Sequence, residues 1–320
     1  MKKITKIAIP TTSQPYNFDY FLTHYVFQPW VVENKKLVRL FKLDSGKFVL
    51  VEIGFSNKLN PTLTITLQSQ RSITKEEQKW LIDMISWNFA VNEDVKEFYE
   101  VICHKDPVLK AASEEIYGAH LRTDPYVFES VVGVVMAQNV QFQRIYKMTE
   151  LLCKNFGESK QFDGKTYYTF PSPKTLAKAD ITKIRACKVG YRDKYIKGIA
   201  EKIIKERINL DELRKLKDTK IIKEKLMELP GVGPYTADLV IAIGFRLPTF
   251  HLDLFSREAL YTFYFNGKKV PDKKLIQFVD KRWGKWKHHA MLLLTTNTDT
   301  WAKNIGKPFR LRSGAKSNQR

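Results

Sequence analysis

The stretch Leu229-Pro230-Gly231-Val232-Gly233-Pro234-Tyr235-Thr236-Ala237 sets the fold expected for the larger part of this chain. A helical pattern of apolar residues precedes it over residues 221–229, and a second one follows from Ala237. Two glycines around one apolar residue allow a tight turn and leave its backbone N–H groups uncovered. The positive N-terminal end of the second helix lies behind these amides, which suits an anion such as a phosphate. The stretch therefore predicts a helix–hairpin–helix that holds a phosphate.

Two other structures share this glycine spacing. A dinucleotide-binding turn needs a strand before its glycines, whereas residues 221–230 (IIKEKLMELP) are helix formers with a helical period. A helix–turn–helix corner with a purely structural role remains an alternative, because short glycine motifs also occur without a ligand.

Charge and composition point to a folded protein with a polyanionic partner. The 320 residues include 54 Lys and Arg against 34 Asp and Glu, for a formal net charge of +20. Hydrophobic residues make up 43% and aromatic residues 12%, which is enough to build a core and excludes a wholly disordered chain. A large positive excess favours nucleic acid through counterion release, and lysine richness for solubility is the alternative.

The sequence carries no signal for a membrane, a secretory pathway or a metal site. No apolar run approaches the roughly 20 residues of a spanning helix, and Met1–Pro10 lacks the apolar segment of a signal peptide. Cys103, Cys153 and Cys187 are odd in number and far apart, which argues against a disulfide framework, a zinc finger or an iron–sulfur cluster. We therefore expect reduced thiols in a cytoplasmic, nucleoid-associated or nuclear protein.

The first 105 residues have the pattern of an antiparallel sheet with helical cover. Three β-rich runs lie at Lys36–Leu43, Lys47–Gly54 and Pro61–Gln68. The turn Asp44–Gly46 joins the first two of them. Thr74 and Glu77 then form a capping box for an amphipathic helix. We predict a first domain over residues 1–105.

Strand signals mostly vanish after residue 105, and amphipathic helices follow. Asp124-Pro125 is typical of a helix start, and the helix that it predicts ends at a break over residues 138–141. Residues 106–305 are predicted to form two mainly helical subdomains with a cleft between them. Residues 306–320 are predicted to be a basic, disordered tail, and the whole chain to be of the α+β class.

The hairpin stretch resembles the helix–hairpin–helix element of the HhH-GPD superfamily of DNA glycosylases. In that superfamily the hairpin amides grip a DNA phosphate and an essential aspartate follows, and here Asp253 comes eighteen residues after Tyr235. Residues 106–300 resemble the helical core of the superfamily. Pro15–Tyr20 is similar to the opening of its alkyladenine branch, and Val189–Tyr195 is similar to its 8-oxoguanine branch.

The resemblance implies a catalytic role for Asp253 and a place in the base pocket for Tyr235. A carboxylate beside the sugar stabilises the positive charge that builds up when an N-glycosidic bond breaks, and it orients the attacking water. In the lyase branches a lysine at the Tyr235 position forms a Schiff base, which a tyrosine cannot do. An aromatic ring instead stacks on cationic methylated bases. The alternatives are a helix N-cap for Asp253 and helix packing for Tyr235.

The same resemblance implies that four residues contact the DNA. Gly231 and Gly233, with basic neighbours, are expected to hold the phosphate backbone. Asn139, with Gln138 beside it, matches the residue that enters the duplex when the target nucleotide is flipped out, a step required because the stack shields the sugar bond. A polar helix cap is the alternative for Asn139.

These residues imply a monofunctional DNA glycosylase of base excision repair that flips out a damaged, alkylated purine such as 3-methyladenine and hydrolyses its N-glycosidic bond. The alternatives are an 8-oxoguanine glycosylase and a noncatalytic module that binds damaged DNA. The expected partners are duplex DNA with a damaged base and a downstream abasic-site endonuclease, with no membrane partner and a monomeric chain. No cofactor and no metal are expected, although the resemblance is compatible with a monovalent cation at the hairpin.

Overall fold

The N-terminal part of the chain forms a five-stranded antiparallel sheet, and the rest of the chain is mostly helical, which confirms the α+β class. The computed structural model describes residues 3–56 and 60–309. The strands are β1 (Lys3–Pro10), β2 (Val31–Glu33), β3 (Lys36–Lys42), β4 (Phe48–Ser56), β5 (Thr62–Ser69), β6 (Ser159–Phe162) and β7 (Lys165–Tyr168). The helices are α1 (Phe18–Thr23), α2 (Lys75–Asn88), α3 (Cys103–Lys105), α4 (Pro107–Glu115), α5 (Val127–Ala137), α6 (Phe142–Phe156), α7 (Pro173–Lys178), α8 (Ile181–Ile184), α9 (Asp193–Glu206), α10 (Thr219–Met227), α11 (Pro234–Phe245), α12 (Leu254–Tyr264), α13 (Asp272–Trp283), α14 (Lys287–Thr295) and α15 (Thr298–Asn304).

The sheet has the strand order β1-β5-β4-β3-β2, and every neighbouring pair is antiparallel. Leu63, Ile65 and Leu67 of β5 are buried together, because alternate side chains of a strand point to the same face. β3 and β4 are joined by a turn in which the Leu43 N–H donates to the Lys47 carbonyl. The three strands and the turn predicted from the sequence are confirmed.

Helix α2 begins at the capping box that the sequence predicts. The Thr74 hydroxyl accepts from the Glu77 N–H at 3.2 Å, and the Glu77 carboxylate accepts from the Thr74 N–H at 2.7 Å. Lys47 and Ser45 also donate to this carboxylate, so the turn between β3 and β4 is tied to the helix start. Hydrogen bonds from Lys47, Ser45 and Thr74 lower the pKa of Glu77 to about 2.

The described residues form two large apolar cores and a small third cluster between the sheet and Phe162. The first joins the sheet to α2, α4 and the C-terminal helices α12–α15, and it includes Leu63 and Trp301. The buried residues of the second lie between Val127 and Phe245, and Phe27 packs against them. The chain therefore leaves the first core beyond Ala119, builds the second, and returns to the first. The predicted domain limits stay a prediction.

A buried ion pair connects the sheet to the second core. The guanidinium of Arg39 on β3 donates to both carboxylate oxygens of Glu129 on α5, at 2.9 and 2.7 Å. Only 1% of Arg39 and 7% of Glu129 is exposed. The fork of the guanidinium matches the two carboxylate oxygens, and this bidentate contact fixes α5 relative to the sheet.

Helix α5 begins at Val127 rather than at the predicted start, Asp124-Pro125. Asp211, which is distant in the sequence, accepts from the Val127 N–H at 2.8 Å and so caps the helix. Arg214 donates to the backbone carbonyls of Asp124 and Pro125, each at 2.8 Å. The predicted start was therefore wrong, because a tertiary contact provides the cap.

The predicted disordered tail begins inside the first core. Phe309 is buried, with its ring centroid 4.8 Å from that of Phe255 and 5.8 Å from that of Phe263. The expectation of disorder is wrong for Phe309, because its ring packs against the rings of two α12 residues. Residues 310–320, which make up the rest of the predicted tail, lie outside the described residues.

The three cysteines are buried and unpaired, consistent with reduced thiols. Burial raises the pKa of Cys103 to about 12, so this thiol is a poor nucleophile. Among the residues that the structure describes, no helix has both the length and the apolar character needed to cross a bilayer.

Candidate active site

The hairpin that joins α10 and α11 has the geometry predicted from its two glycines. Leu229 and Val232 are buried and anchor it to the second core. Gly231 has φ +76°, in the left-handed region, and a Cβ there would lie 2.4 Å from the Tyr195 ring. Gly233 has φ −94° and only open space where a Cβ would be. The turn therefore requires the first glycine, whereas the second leaves room for an approaching group.

Gly231→Ala is expected to lower the free energy of unfolding by about 2–4 kcal/mol. The new methyl group would clash with the Tyr195 ring, and alanine is strained in the left-handed backbone conformation of this residue. Gly233→Ala is the matched control and should cost less than about 1 kcal/mol. Gly233→Ala should instead weaken duplex DNA binding roughly tenfold, since a methyl group stands where a phosphate would meet the amides. Urea unfolding and DNA titration measure the two effects, and equal stability losses in both variants would contradict the geometry.

Helix α11 presents uncapped amides at the hairpin. Its N-cap residue is Gly233, which has no side chain to accept from the first N–H groups of the helix. Pro234 occupies the first turn. These N–H groups and the positive end of the helix dipole point in the same direction. This end of the helix is therefore suited to an anion.

Gln138 fixes the hairpin to the end of α5. Its side-chain amide donates to the Gly231 carbonyl at 2.9 Å and to the Thr236 hydroxyl at 3.0 Å. Its backbone carbonyl accepts from Nε of Arg192 at 3.1 Å. Gln138 thus has a positioning role within the protein, and a DNA contact by it stays a prediction. Asn139 is exposed with φ +51°, and its entry into the duplex also stays a prediction.

Asp253 begins α12 as an N-cap, and its carboxylate belongs to a reciprocal capping box. Oδ1 accepts from the Ser256 N–H at 2.7 Å, and the Asp253 N–H donates to the Ser256 hydroxyl at 2.8 Å. The side chain is half-buried. The capping box uses Oδ1 of the Asp253 carboxylate. The N-cap expected as an alternative is confirmed, and it holds the carboxylate in one orientation.

Asp253 and Tyr235 lie within electrostatic range of each other. Burial raises the pKa of Tyr235, and the Asp253 carboxylate raises it further. Burial lowers the pKa of His251, against the opposing effect of the Asp253 and Asp238 charges. The rings of Tyr235 and His251 meet edge to face, with centroids 5.4 Å apart. The Tyr235 ring therefore contacts the segment that leads into Asp253, and the roles of both residues stay predictions.

An ion pair and a hydrogen bond hold the segment that leads from the hairpin to Asp253. Nζ of Lys223 on α10 lies 2.6 Å from the Asp238 carboxylate on α11, which joins the two helices of the motif. The Thr249 hydroxyl donates to the Asp238 backbone carbonyl at 2.7 Å. The loop after α11 is therefore fixed to that helix shortly before it reaches α12.

The structure adds an aromatic cluster that the sequence patterns did not single out. Tyr25 packs against Phe142 with centroids 5.2 Å apart, and Phe142 against Tyr146 at 5.6 Å. Burial raises the pKa of Tyr25, and the Asp253 carboxylate contributes to the rise, so this cluster is within range of the candidate catalytic charge. The aromatic-rich run Tyr16–Trp30 was the available signal.

Two surface clefts lie away from this group. Val31, Lys165 and Tyr167 help to line one of them, and Asn155 and Lys178 the other. Neither cleft contains the hairpin or the α12 carboxylate. The candidate site therefore rests on the geometry of the hairpin and the carboxylate, and not on a cavity.

Uncapped amides at a helix–hairpin–helix suit a phosphate, and a carboxylate held in one orientation suits a sugar that gains positive charge. Residues 132–285 match the family described as HhH-GPD superfamily base excision DNA repair protein. This match places the domain among those of base excision DNA repair proteins. Residues 132–285 thus form an HhH-GPD domain, the domain of the DNA glycosylase superfamily that the hairpin sequence resembles.

Known proteins of similar sequence and structure match most of the chain. A DNA-3-methyladenine glycosylase of Bacillus subtilis (strain 168) is 26% identical over 265 residues, which are 82% of this chain and 86% of that protein. A probable N-glycosylase/DNA lyase of Methanothermobacter thermautotrophicus is 26% identical over 257 residues, which are 74% of this chain and 80% of that protein. The solved structure of a 3-methyladenine DNA-glycosylase from Archaeoglobus fulgidus has a TM-score of 0.77 at 23% identity, over 90% of this chain and 97% of that chain. This last likeness shows that the fold is shared.

Proposed function

We propose that this protein is a monofunctional DNA glycosylase that flips a damaged base out of duplex DNA and hydrolyses its N-glycosidic bond. The position of Asp253 carries this proposal. Its carboxylate, fixed by the α12 capping box, lies within electrostatic range of Tyr235 on the hairpin. The hairpin holds the DNA backbone while the carboxylate acts on the sugar of the flipped nucleotide.

The Asp253 carboxylate has two tasks in this reaction. As the glycosidic bond breaks, positive charge builds up on the sugar, and a nearby anion stabilises that charge. The anion also orients the water whose oxygen bonds to the sugar carbon, while the base leaves with the electrons of the broken bond. The Ser256 N–H holds Oδ1, so the orientation of the carboxylate is set before the substrate arrives.

The side chains at the hairpin support hydrolysis without strand cleavage. Tyr235 has a phenol at the position where the lyase branches have their lysine, and a phenol forms no Schiff base. The Lys223 amine on the preceding helix lies 2.6 Å from the Asp238 carboxylate, so this nitrogen is held by a protein partner. The Methanothermobacter relative, named as a probable lyase, favours a bifunctional enzyme as the rival.

Alkylated purines such as 3-methyladenine are the proposed substrates. Methylation places a positive charge on the base, and a cation over an aromatic face gains about 0.5–2 kcal/mol. Tyr235 and the cluster of Tyr25, Phe142 and Tyr146 offer such faces within range of the Asp253 charge. The name of the Bacillus subtilis relative supports the same substrate class.

Duplex DNA is the proposed partner, bound through the amides at Gly231 and Gly233 and through Asn139 at the gap left by the flipped nucleotide. The abasic site that remains passes to an abasic-site endonuclease, because hydrolysis leaves the strand intact. We propose that the protein works as a monomer without a cofactor, at the genome in the cytoplasm or the nucleus. A monovalent cation at the hairpin carbonyls is compatible with this role.

A lesion panel tests the proposed function. Methylated duplex and duplex with 8-oxoguanine opposite cytosine are incubated with excess protein, and the free bases are measured. We expect release of methylated purines and none of 8-oxoguanine. Release of 8-oxoguanine alone would favour the rival supported by Asn139 and by Val189–Tyr195. Release from neither duplex, with binding retained, would favour the noncatalytic module.

A further inference from the structure

Away from the hairpin, two adjacent histidines and a glutamate converge at the start of α14. Ring nitrogens of His288 and His289 and a carboxylate oxygen of Glu93 all lie within 4.8 Å of one another. Nε2 of His289 is 3.6 Å from Oε2 of Glu93, and the two imidazole centroids are 4.2 Å apart. Glu93 lies just after α2, so the three side chains join distant parts of the sequence.

The imidazole nitrogens of this cluster lack hydrogen-bond partners. Nδ1 and Nε2 of both His288 and His289 are buried, and none has a partner among the described residues. Only 1% of His289 is exposed. Buried polar groups of folded proteins normally have a hydrogen-bond partner, and four ring nitrogens without one at a single place therefore point to a ligand.

We infer that Glu93, His288 and His289 bind a divalent cation of the zinc class, with a fourth coordination position open to water. Two imidazoles and one carboxylate are a ligand set that Zn²⁺ takes in proteins. Ligand atoms about 2.0–2.2 Å from a tetrahedral ion are roughly 3.3–3.6 Å from one another. The observed 3.6 Å between Nε2 and Oε2 already meets this spacing. A side-chain rotation that moves the His288 ring nitrogen by about 1 Å would bring it to the same distance from the other two ligand atoms.

The surroundings of the cluster fix the carboxylate and, within the part of the chain that the structure describes, occupy the nitrogens of a neighbouring histidine. Arg246 donates to Oε2 of Glu93 at 3.1 Å and is itself held by three backbone carbonyls, so it orients the carboxylate. His120, also nearby, already uses both ring nitrogens, on the Ser13 hydroxyl and a backbone carbonyl.

The ion would fasten α14 to the segment after α2, within the first core. Both ends of this bridge belong to the layer that packs against the sheet, and neither includes the hairpin or the proposed catalytic carboxylate. The site therefore stabilises the fold, and metal binding is independent of base release. A metal that binds the folded state but not the unfolded state raises the unfolding temperature.

The test uses full-length protein without a histidine tag, stripped with a chelator and titrated with Zn²⁺ against a chromophoric competitor. We expect the unmodified protein to bind about one equivalent of Zn²⁺ tightly and to gain thermal stability from it. His288→Ala should lose both effects, whereas His104→Ala, at an exposed histidine outside the cluster, should keep both. All of these variants retain the three cysteines, so zinc bound by thiols does not differ between them.

Co²⁺ adds a readout of the ligand set, because tetrahedral cobalt has a strong visible absorption that a weakly bound surface ion lacks. This absorption should be present in the unmodified protein and in His104→Ala, and lost in Glu93→Gln, which keeps the shape of the side chain but removes its charge. Glu93→Gln also decides the result if His288→Ala fails to fold. The absence of bound Zn²⁺ in the unmodified protein, or equal binding by Glu93→Gln, would overturn the inference.

Discussion

Asp253→Asn should slow base release from methylated duplex about 10²–10³-fold, because the anion that stabilises the sugar cation is lost. Asparagine is an equally good helix N-cap, so α12 and the fold should persist. Affinity for the duplex should not fall, since the change removes a negative charge from a site that faces a polyanion. Single-turnover release of free base, with DNA titration beside it, measures both effects.

Asp272→Asn provides the matched control for this substitution. Asp272 also lies at a helix start, and it is paired with Arg257 at 2.7 and 2.9 Å on the surface, where the same chemical change should leave base release unaltered. If Asp253→Asn and Asp272→Asn both released base as fast as the unmodified protein, the carboxylate of Asp253 would have no part in the reaction.

Arg39→Met should lower the free energy of unfolding by about 3–5 kcal/mol, because it leaves the Glu129 carboxylate buried without its partner. The pair is almost fully buried, and both oxygens of Glu129 accept from Arg39. Urea unfolding followed by circular dichroism measures the loss. The effect should be among the largest of any single substitution outside the apolar cores.

The double variant Arg39→Met with Glu129→Leu separates charge from packing. Replacing both partners by apolar side chains of similar volume removes the unpaired charge, so most of the lost stability should return. If the double variant is as unstable as Arg39→Met, the contact acts through its shape. If Arg39→Met is as stable as the unmodified protein, the ion pair does not hold α5 to the sheet.

The parts of the fold that were predicted are those whose signal is local. The capping box of Thr74 and Glu77 has both partners within one helical turn, and β5 shows its alternation in a single run. The hairpin of β6 and β7 was missed although Asp163-Gly164, with φ values of +49° and +80°, is a strong turn signal, because each strand has only four residues. Among the described strands β1 pairs with β5 alone, so its partner lies far along the chain.

In the candidate site, too, local motifs could be predicted from the sequence and contacts between distant segments could not. The glycine pair and the aspartate before α12 are short motifs, and they could be placed from the sequence together with the superfamily resemblance. The contact of Gln138 with the Gly231 carbonyl, and the cluster of Tyr25 with Phe142, depend on how separate elements pack. No local pattern carries that information, which is why the support of the site was not predicted while its centre was.

The integrity of the DNA strand tests most directly whether this protein is a hydrolytic glycosylase. Methylated duplex is incubated with excess protein, and portions are examined with alkali, without alkali, and with borohydride added during the reaction. Hydrolysis through Asp253, with Tyr235 at the lysine position, predicts free base, a strand that breaks only after alkali, and no covalent protein–DNA adduct. Strand breakage without alkali, together with an adduct stabilised by borohydride, would reveal an amine nucleophile and contradict it.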